Sequence, residues 1–173
     1  KDSLQKVETL KQNEEFQEVV TELQSKLPNV LNNNKDINAD NNKELYIFVS
    51  FSLGEKALLN LAHDAQQFGA TLVLRGFKGG SYLKTAQALQ KIIRKTGQGV
   101  IIDPELYTLF NISAVPTFIL AKPFSLNSAE RIQTPLHDKL QGHVGTQYAL
   151  EIFSKEGDLK DEAQALLKRG AIK

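Results

Sequence analysis

Residues 113–120 read Ser-Ala-Val-Pro-Thr-Phe-Ile-Leu: three small or branched residues, then Pro116, then a run with the composition of a β-strand. Proline has no N–H and a fixed φ, so inside a central strand it would delete a ladder hydrogen bond. At the first strand position the loss is tolerated. Pro116 therefore marks the entrance of a strand. Whether its peptide bond is trans, as at most strand edges, or cis is left open by these eight residues alone.

The residues before it supply context. Val-Ile-Ile-Asp at 100–103 is a short strand, after which Asp103 caps a short helix that has Pro104 at its first position and ends near Asn111. Further upstream, ELYIFVSFSL at 44–53 is too continuously apolar to have a wet face, so it predicts a central strand covered on both sides. Gly54 and Glu55 open a helix with Leu58, Leu61, Ala62, Ala65 and Phe68 on one side, and Gly69 ends it. ATLVLRGF is the next strand and KGGS a turn. Ser81 caps a helix to about Thr96 whose stripe is Leu83, Ala86, Leu89, Ile92 and Ile93.

Downstream of TFIL, PFSLNSAE reads as a loop and 131–142 as a strand. Thr146–Ser154 and Lys160–Lys168 read as helices. The order β-α-β-α-β-α-β-β-α-α predicts an α/β domain over 43–173, its mixed sheet flanked by helices and its last two strands antiparallel. Before it, residues 1–28 form an amphipathic helical arm (Leu4, Val7, Leu10, Phe16, Val19, Val20, Leu23, Leu27) stopped by Pro28, and 29–42 an Asn-rich linker.

Composition removes several functions. The chain has 173 residues and no cysteine, which excludes thiol redox chemistry, disulfides and thiolate metal sites. A net charge of +1 gives no electrostatic reason to expect nucleic acid or a membrane surface. No apolar run approaches the roughly 18 residues of a membrane span. His63, His137 and His143 are scattered without a carboxylate set, so no metal site is expected. No phosphate-loop or dinucleotide glycine pattern is present either, and no cofactor is implied. The chain starts at Lys1 without methionine, as expected of a mature form from which a signal peptide has been removed.

Taken together, strand, short helix, Val-Pro-Thr and strand in IIDPELYTLFNISAVPTFIL resemble the thioredoxin superfamily over about 43–155. The resemblance implies a cis-proline facing the turn after the first strand. In redox members that turn carries a cysteine pair; here it is SFSLGEK, so thiol activity is absent. More narrowly, FVSFSL, TLVLRGF, GGS, IDPELYTLFNI, VPTFIL and GHVGTQYALEIF, in that order, resemble the TrbC family of F-type conjugative pilus-assembly proteins. That resemblance implies a periplasmic, non-enzymatic protein acting with TraW-type protein partners.

Two candidate surfaces follow. One joins Phe51, Ser52, Leu53 and Gly54 to Val115 and Pro116 as a groove for an extended peptide; the same residues could equally be core packing. The other is a basic helix face of Lys84, Lys91 and Lys95, within a stretch from Arg75 to Lys95 that holds six basic residues and no acidic one. It would suit an acidic partner or the chain's own arm, or be a solvated face. No aromatics interleave with it as a nucleic-acid platform would require. A competing class is a thioredoxin-fold enzyme using Ser50 or Ser52, though no histidine lies nearby in sequence to activate either hydroxyl.

Overall fold

In a computed structural model, which describes residues 44–125, 127–131 and 133–172, the chain forms the expected α/β architecture. The helical arm and linker expected over 1–42 lie outside the described residues. The apolar run condenses into β1 (Leu45–Val49), every residue of which is buried. Its continuity has a simple cause: β1 has a strand on each side and a packed layer on each face. Parallel to it lies β2 (Thr71–Leu74), with Tyr46 opposite Thr71, and beyond that β3 (Val100–Ile102), also parallel. On the other side β4 (Thr117–Ala121) runs antiparallel, Phe48 opposite Thr117, followed by antiparallel β5 (His137–Gln141). The order among the described residues is β3-β2-β1-β4-β5.

Alternation along the strands builds two cores. Leu45, Ile47, Val49, Leu72, Leu74, Phe118 and Leu120 point to one face. There they meet α1 (Glu55–Phe68), α2 (Tyr82–Thr96), α4 (Thr146–Glu156) and α5 (Lys160–Ile172). Tyr46, Phe48, Val73, Ile119 and Ala121 point to the other, where the six-residue α3 (Pro104–Leu109) supplies Leu106 and Tyr107, joined by Phe110 and Ile112. Edge-to-face ring contacts tie Phe48 to Tyr107 and Phe110 at 4.9 and 6.0 Å.

Local signals act as read. Ser81 Oγ accepts from the Lys84 N–H at 3.2 Å, Asp103 Oδ1 accepts from the Leu106 N–H at 3.1 Å, and Gly69 closes α1 at φ 74°, a conformation glycine reaches without a Cβ penalty. The two C-terminal helices instead take their caps from far away. Asp64 of α1 accepts from the Thr146 N–H at 3.1 Å. Asp138 of β5 accepts from the Asp158 and Leu159 N–H groups at 2.7 and 2.9 Å, just ahead of α5.

One expectation needs correction. The strand expected over 131–142 is confined to His137–Gln141. Pro135 has no N–H to offer a ladder, and the preceding residues are held by α3 rather than by the sheet. The Thr134 hydroxyl donates to the Leu109 carbonyl at 3.1 Å, and the Arg131 guanidinium, 5% exposed, forms a two-pronged pair with Asp103 at 2.7 and 3.2 Å. The last helix also runs further than expected, to Ile172.

Candidate functional site

Antiparallel pairing of Phe48 with Thr117 carries the chain out of β1 and into β4 at the same end of the sheet. The turn after β1 and the Pro116 loop are therefore neighbours because of the register. The Val115–Pro116 peptide is cis. Pro116 itself is buried, and its carbonyl accepts from the Gly142 N–H at 3.0 Å, extending the pairing of β4 with β5. The Thr117 hydroxyl donates to the Ala114 carbonyl at 2.7 Å, fixing the approach. Ser113 and Ala114 are exposed and Val115 half-buried against the α3 side of the core. What this loop offers to solvent is residues 113–115, with Pro116 beneath them.

Opposite, Phe51–Leu53 form one 3-10 turn. The Ser50 hydroxyl oxygen accepts from the Ser52 N–H at 3.2 Å and from the Ser52 hydroxyl at 3.0 Å, while Leu53 and Gly54 N–H groups bond to the Ser50 and Phe51 carbonyls. Gly54 has φ 85° and ψ 159°, with open space where a Cβ would sit. Glycine is required there by the backbone and not by crowding. Phe51 and Leu53 are half-buried on the helical-face core, Ser52 is exposed, and the two loops straddle the end of the sheet.

Beneath them lies a group that sequence reasoning missed. The buried Tyr107 hydroxyl donates to the Val49 carbonyl at 2.5 Å and to the Val73 carbonyl at 3.0 Å, clasping the ends of β1 and β2. Burial pushes its pKa from the usual 10.0 up to about 12, against the opposing pull of the Arg75 charge. No sequence signal announced it, because both acceptors are distant main-chain atoms.

The three lysines share one sector of α2, and two of them are paired. Lys91 and Lys95 reach Glu55, in the first turn of α1, at 2.8 and 3.4 Å. The hydrogen bond from Lys91 is the chief reason that the Glu55 carboxyl sits below the usual range. Lys84 is exposed two helical turns before Lys91. It stands nearer in sequence to a second group that was missed, the exposed aromatics Phe77 and Tyr82, whose rings meet at 5.4 Å. Lys78 lies with its ammonium 5.6 Å from the Phe51 ring centroid and so links that pair to the β1 turn. The signal available was an aromatic inside the glycine-rich turn RGFKGGS and a tyrosine off the apolar stripe of α2.

The histidines are dispersed. His63 and His143 are exposed, and the His137 ring meets Phe110 edge-to-face at 4.9 Å with Nδ1 2.8 Å from the Pro135 carbonyl. Among the described residues no group of three His, Asp or Glu could hold a metal ion, and no helix is long and apolar enough to cross a membrane.

No curated protein and no solved structure matches the chain. A family model described as type-F conjugative transfer system pilin assembly protein matches residues 47–153. The match begins inside β1, ends inside α4, and so contains the β1 turn, the lysines of α2 and the cis-proline loop. Covering well over half of the 173 residues, it shows that the chain belongs to the TrbC family of F-type conjugative pilin assembly proteins.

Proposed function

We propose that the domain serves pilus assembly in the periplasm as a non-enzymatic factor, holding a TraW-type protein partner across the end of the sheet where the β1 turn and the Pro116 loop meet. The observation that carries this reading is the side-by-side exit of the two loops, with Ser52, Ser113 and Ala114 exposed over the half-buried apolar Phe51, Leu53 and Val115. Apolar contact area beside main-chain groups of an irregular loop suits an extended peptide. The Val115 main chain lies outside the regular strands, which leaves it to pair with an incoming backbone. Ser50 and Ser52 bond to each other and, among the described residues, neither is touched by a base, which favours binding over serine chemistry.

The test is calorimetric titration of the purified chain with a TraW-type partner. Ser52→Arg with Ala114→Arg, both at exposed positions, should weaken binding by roughly tenfold or more, the scale of about 1.4 kcal/mol. Tyr148→Ala on α4 should leave it unchanged. Wild-type affinity in the double variant would end this reading.

A further inference from the structure

We infer that the docking surface continues onto the loop between β2 and α2, where Phe77, flanked by Arg75, Lys78 and Lys84, anchors a segment of the partner protein that is acidic and bears an apolar side chain. This rests on the reading that the ends of β1 and β4 dock a protein, and it names the chemistry of what docks. Register places the loop. Leu74, the last residue of β2, pairs with Val49, as Thr117 pairs with Phe48. Three loops therefore meet one end of the sheet side by side, in the order β4, β1, β2. From the Pro116 loop to Arg75 is a step of two strand spacings, about 10 Å or roughly three residues of extended chain. Lys78, its ammonium 5.6 Å from the Phe51 ring centroid, makes the surface continuous with the β1 turn.

Every residue from Arg75 to Gly80 is exposed, and the loop is nonetheless held firmly. The Lys78 N–H donates to the Thr85 hydroxyl oxygen at 2.7 Å, and that hydroxyl donates to the Ser81 carbonyl at 2.7 Å. The Gly80 and Ser81 N–H groups close onto the Phe77 and Lys78 carbonyls at 3.2 and 3.0 Å. Tyr82 is already engaged: its ring meets the Phe77 ring at 5.4 Å and braces it. Phe77 still keeps 47% of its surface open to solvent. An aromatic side chain held in place beforehand gives up little conformational freedom on being covered, which is the property of an anchor.

Charge defines the partner's side. No acidic residue lies between Arg75 and Lys95. Glu55 is taken by Lys91 and Lys95, and Asp103, whose N–H bonds to the Leu74 carbonyl, is taken by Arg131. Among the described residues no carboxylate pairs with Arg75, Lys78 or Lys84. An acidic segment meets these cations without displacing an existing pair, whereas a basic one is repelled. One open ring beside them is too short a track for a nucleic-acid strand, which asks for successive phosphates and successive stacked bases.

The experiment uses the full chain and the partner protein of the preceding reading. Photo-crosslinking benzoylphenylalanine replaces Phe77 in one sample and Ser52 in another, and captured tracts are mapped by mass spectrometry. Position 77 should capture a partner tract in which Asp and Glu outnumber Lys and Arg. Arg75→Glu/Lys84→Glu should weaken binding roughly tenfold at low salt and by only about twofold at half-molar salt, where screening is nearly complete. Phe77→Ser should weaken it roughly tenfold at both. Lys160→Glu/Lys168→Glu, the same change of net charge at exposed positions of α5, should leave it unchanged. Capture at 52 but not at 77 would overturn this inference and leave the groove standing. Capture of an acidic tract at 77 but not at 52 would sustain it and remove the groove. Capture at neither would remove both. A neutral or basic tract at 77, or a second copy of this chain, would overturn it. So would a single-stranded oligonucleotide or anionic phospholipid vesicles bound by the wild type and released by Arg75→Glu/Lys84→Glu.

Discussion

The phenol oxygen of Tyr107 stands 2.5 Å from the carbonyl oxygen of Val49, the last residue of β1, across 58 residues of sequence. With the Val73 carbonyl at 3.0 Å, its single hydroxyl hydrogen serves two parallel strands at the end of the sheet from which the candidate loops emerge. Tyr107→Phe leaves both carbonyls without that donor in a buried setting. It should cost about 1–3 kcal/mol in urea unfolding at neutral pH.

The same hydroxyl makes stability depend on alkaline pH. Its folded-state pKa of about 12 lies above the ordinary 10.0. Between those values the native chain holds a proton that the unfolded chain has released. The stabilisation is complete below pH 10 and is lost as pH rises toward 12, by up to about 3 kcal/mol. Unfolding of the wild type and of Tyr107→Phe at pH 9 and pH 11 should show this component of the slope in the former and not in the latter.

Arg131 and Asp103 should behave as a coupled pair. The guanidinium is 5% exposed and bound to both carboxylate oxygens, with Glu105 further off at 3.8 Å. Asp103→Asn keeps a capping oxygen for α3 but removes the charge, and should cost about 3 kcal/mol because a buried cation loses its main partner. Adding Arg131→Met should restore part of the loss. Strict additivity in the double-mutant cycle would contradict the coupling.

Gly170, within α5, lies against the Phe68 ring at the end of α1, so closely that a Cβ there would overlap the ring. On an exposed helix Gly→Ala stabilises by roughly 1 kcal/mol. Here Gly170→Ala should destabilise by about 1–3 kcal/mol through overpacking, and Phe68→Leu should relieve part of that. A rise in melting temperature for the single variant would mean that Phe68 yields freely.

Asp138 is 8% exposed and its two oxygens take the Asp158 and Leu159 N–H groups. Asp138→Ala should cost about 1–3 kcal/mol, since it leaves both donors without an acceptor. Hydrogen exchange should quicken first at the start of α5. Uniform exchange along the chain would argue against a local role.

The parts of this fold that were legible in the sequence are those fixed by near neighbours. β1 was recognisable because a buried central strand must be apolar on both faces. The caps at Ser81 and Asp103 and the stop at Gly69 were recognisable because donor and acceptor lie within a few residues. β5 was overdrawn: as an edge strand reading His-Asp-Lys-Leu-Gln it carries little alternation, and the residues before it answer to α3. Of the candidate site, Phe51–Gly54 and the Val115–Pro116 loop leave the same end of the sheet because the pairing of β1 with β4 sets them there. The pairing of Lys91 and Lys95 with Glu55 was not legible, because Glu55 lies 36 residues before Lys91. Tyr107 stayed hidden because its hydroxyl answers to main-chain carbonyls that only the folded chain brings near.

The starts of α4 and α5 depend on carboxylates contributed by α1 and β5, both earlier in the chain. A ribosome delivers Asp64 and Asp138 before it delivers the helices that need them. The C-terminal pair thus emerges onto a surface where its acceptors are already waiting, and a chain interrupted ahead of Thr146 would leave Asp64 and Asp138 without the helix starts they cap.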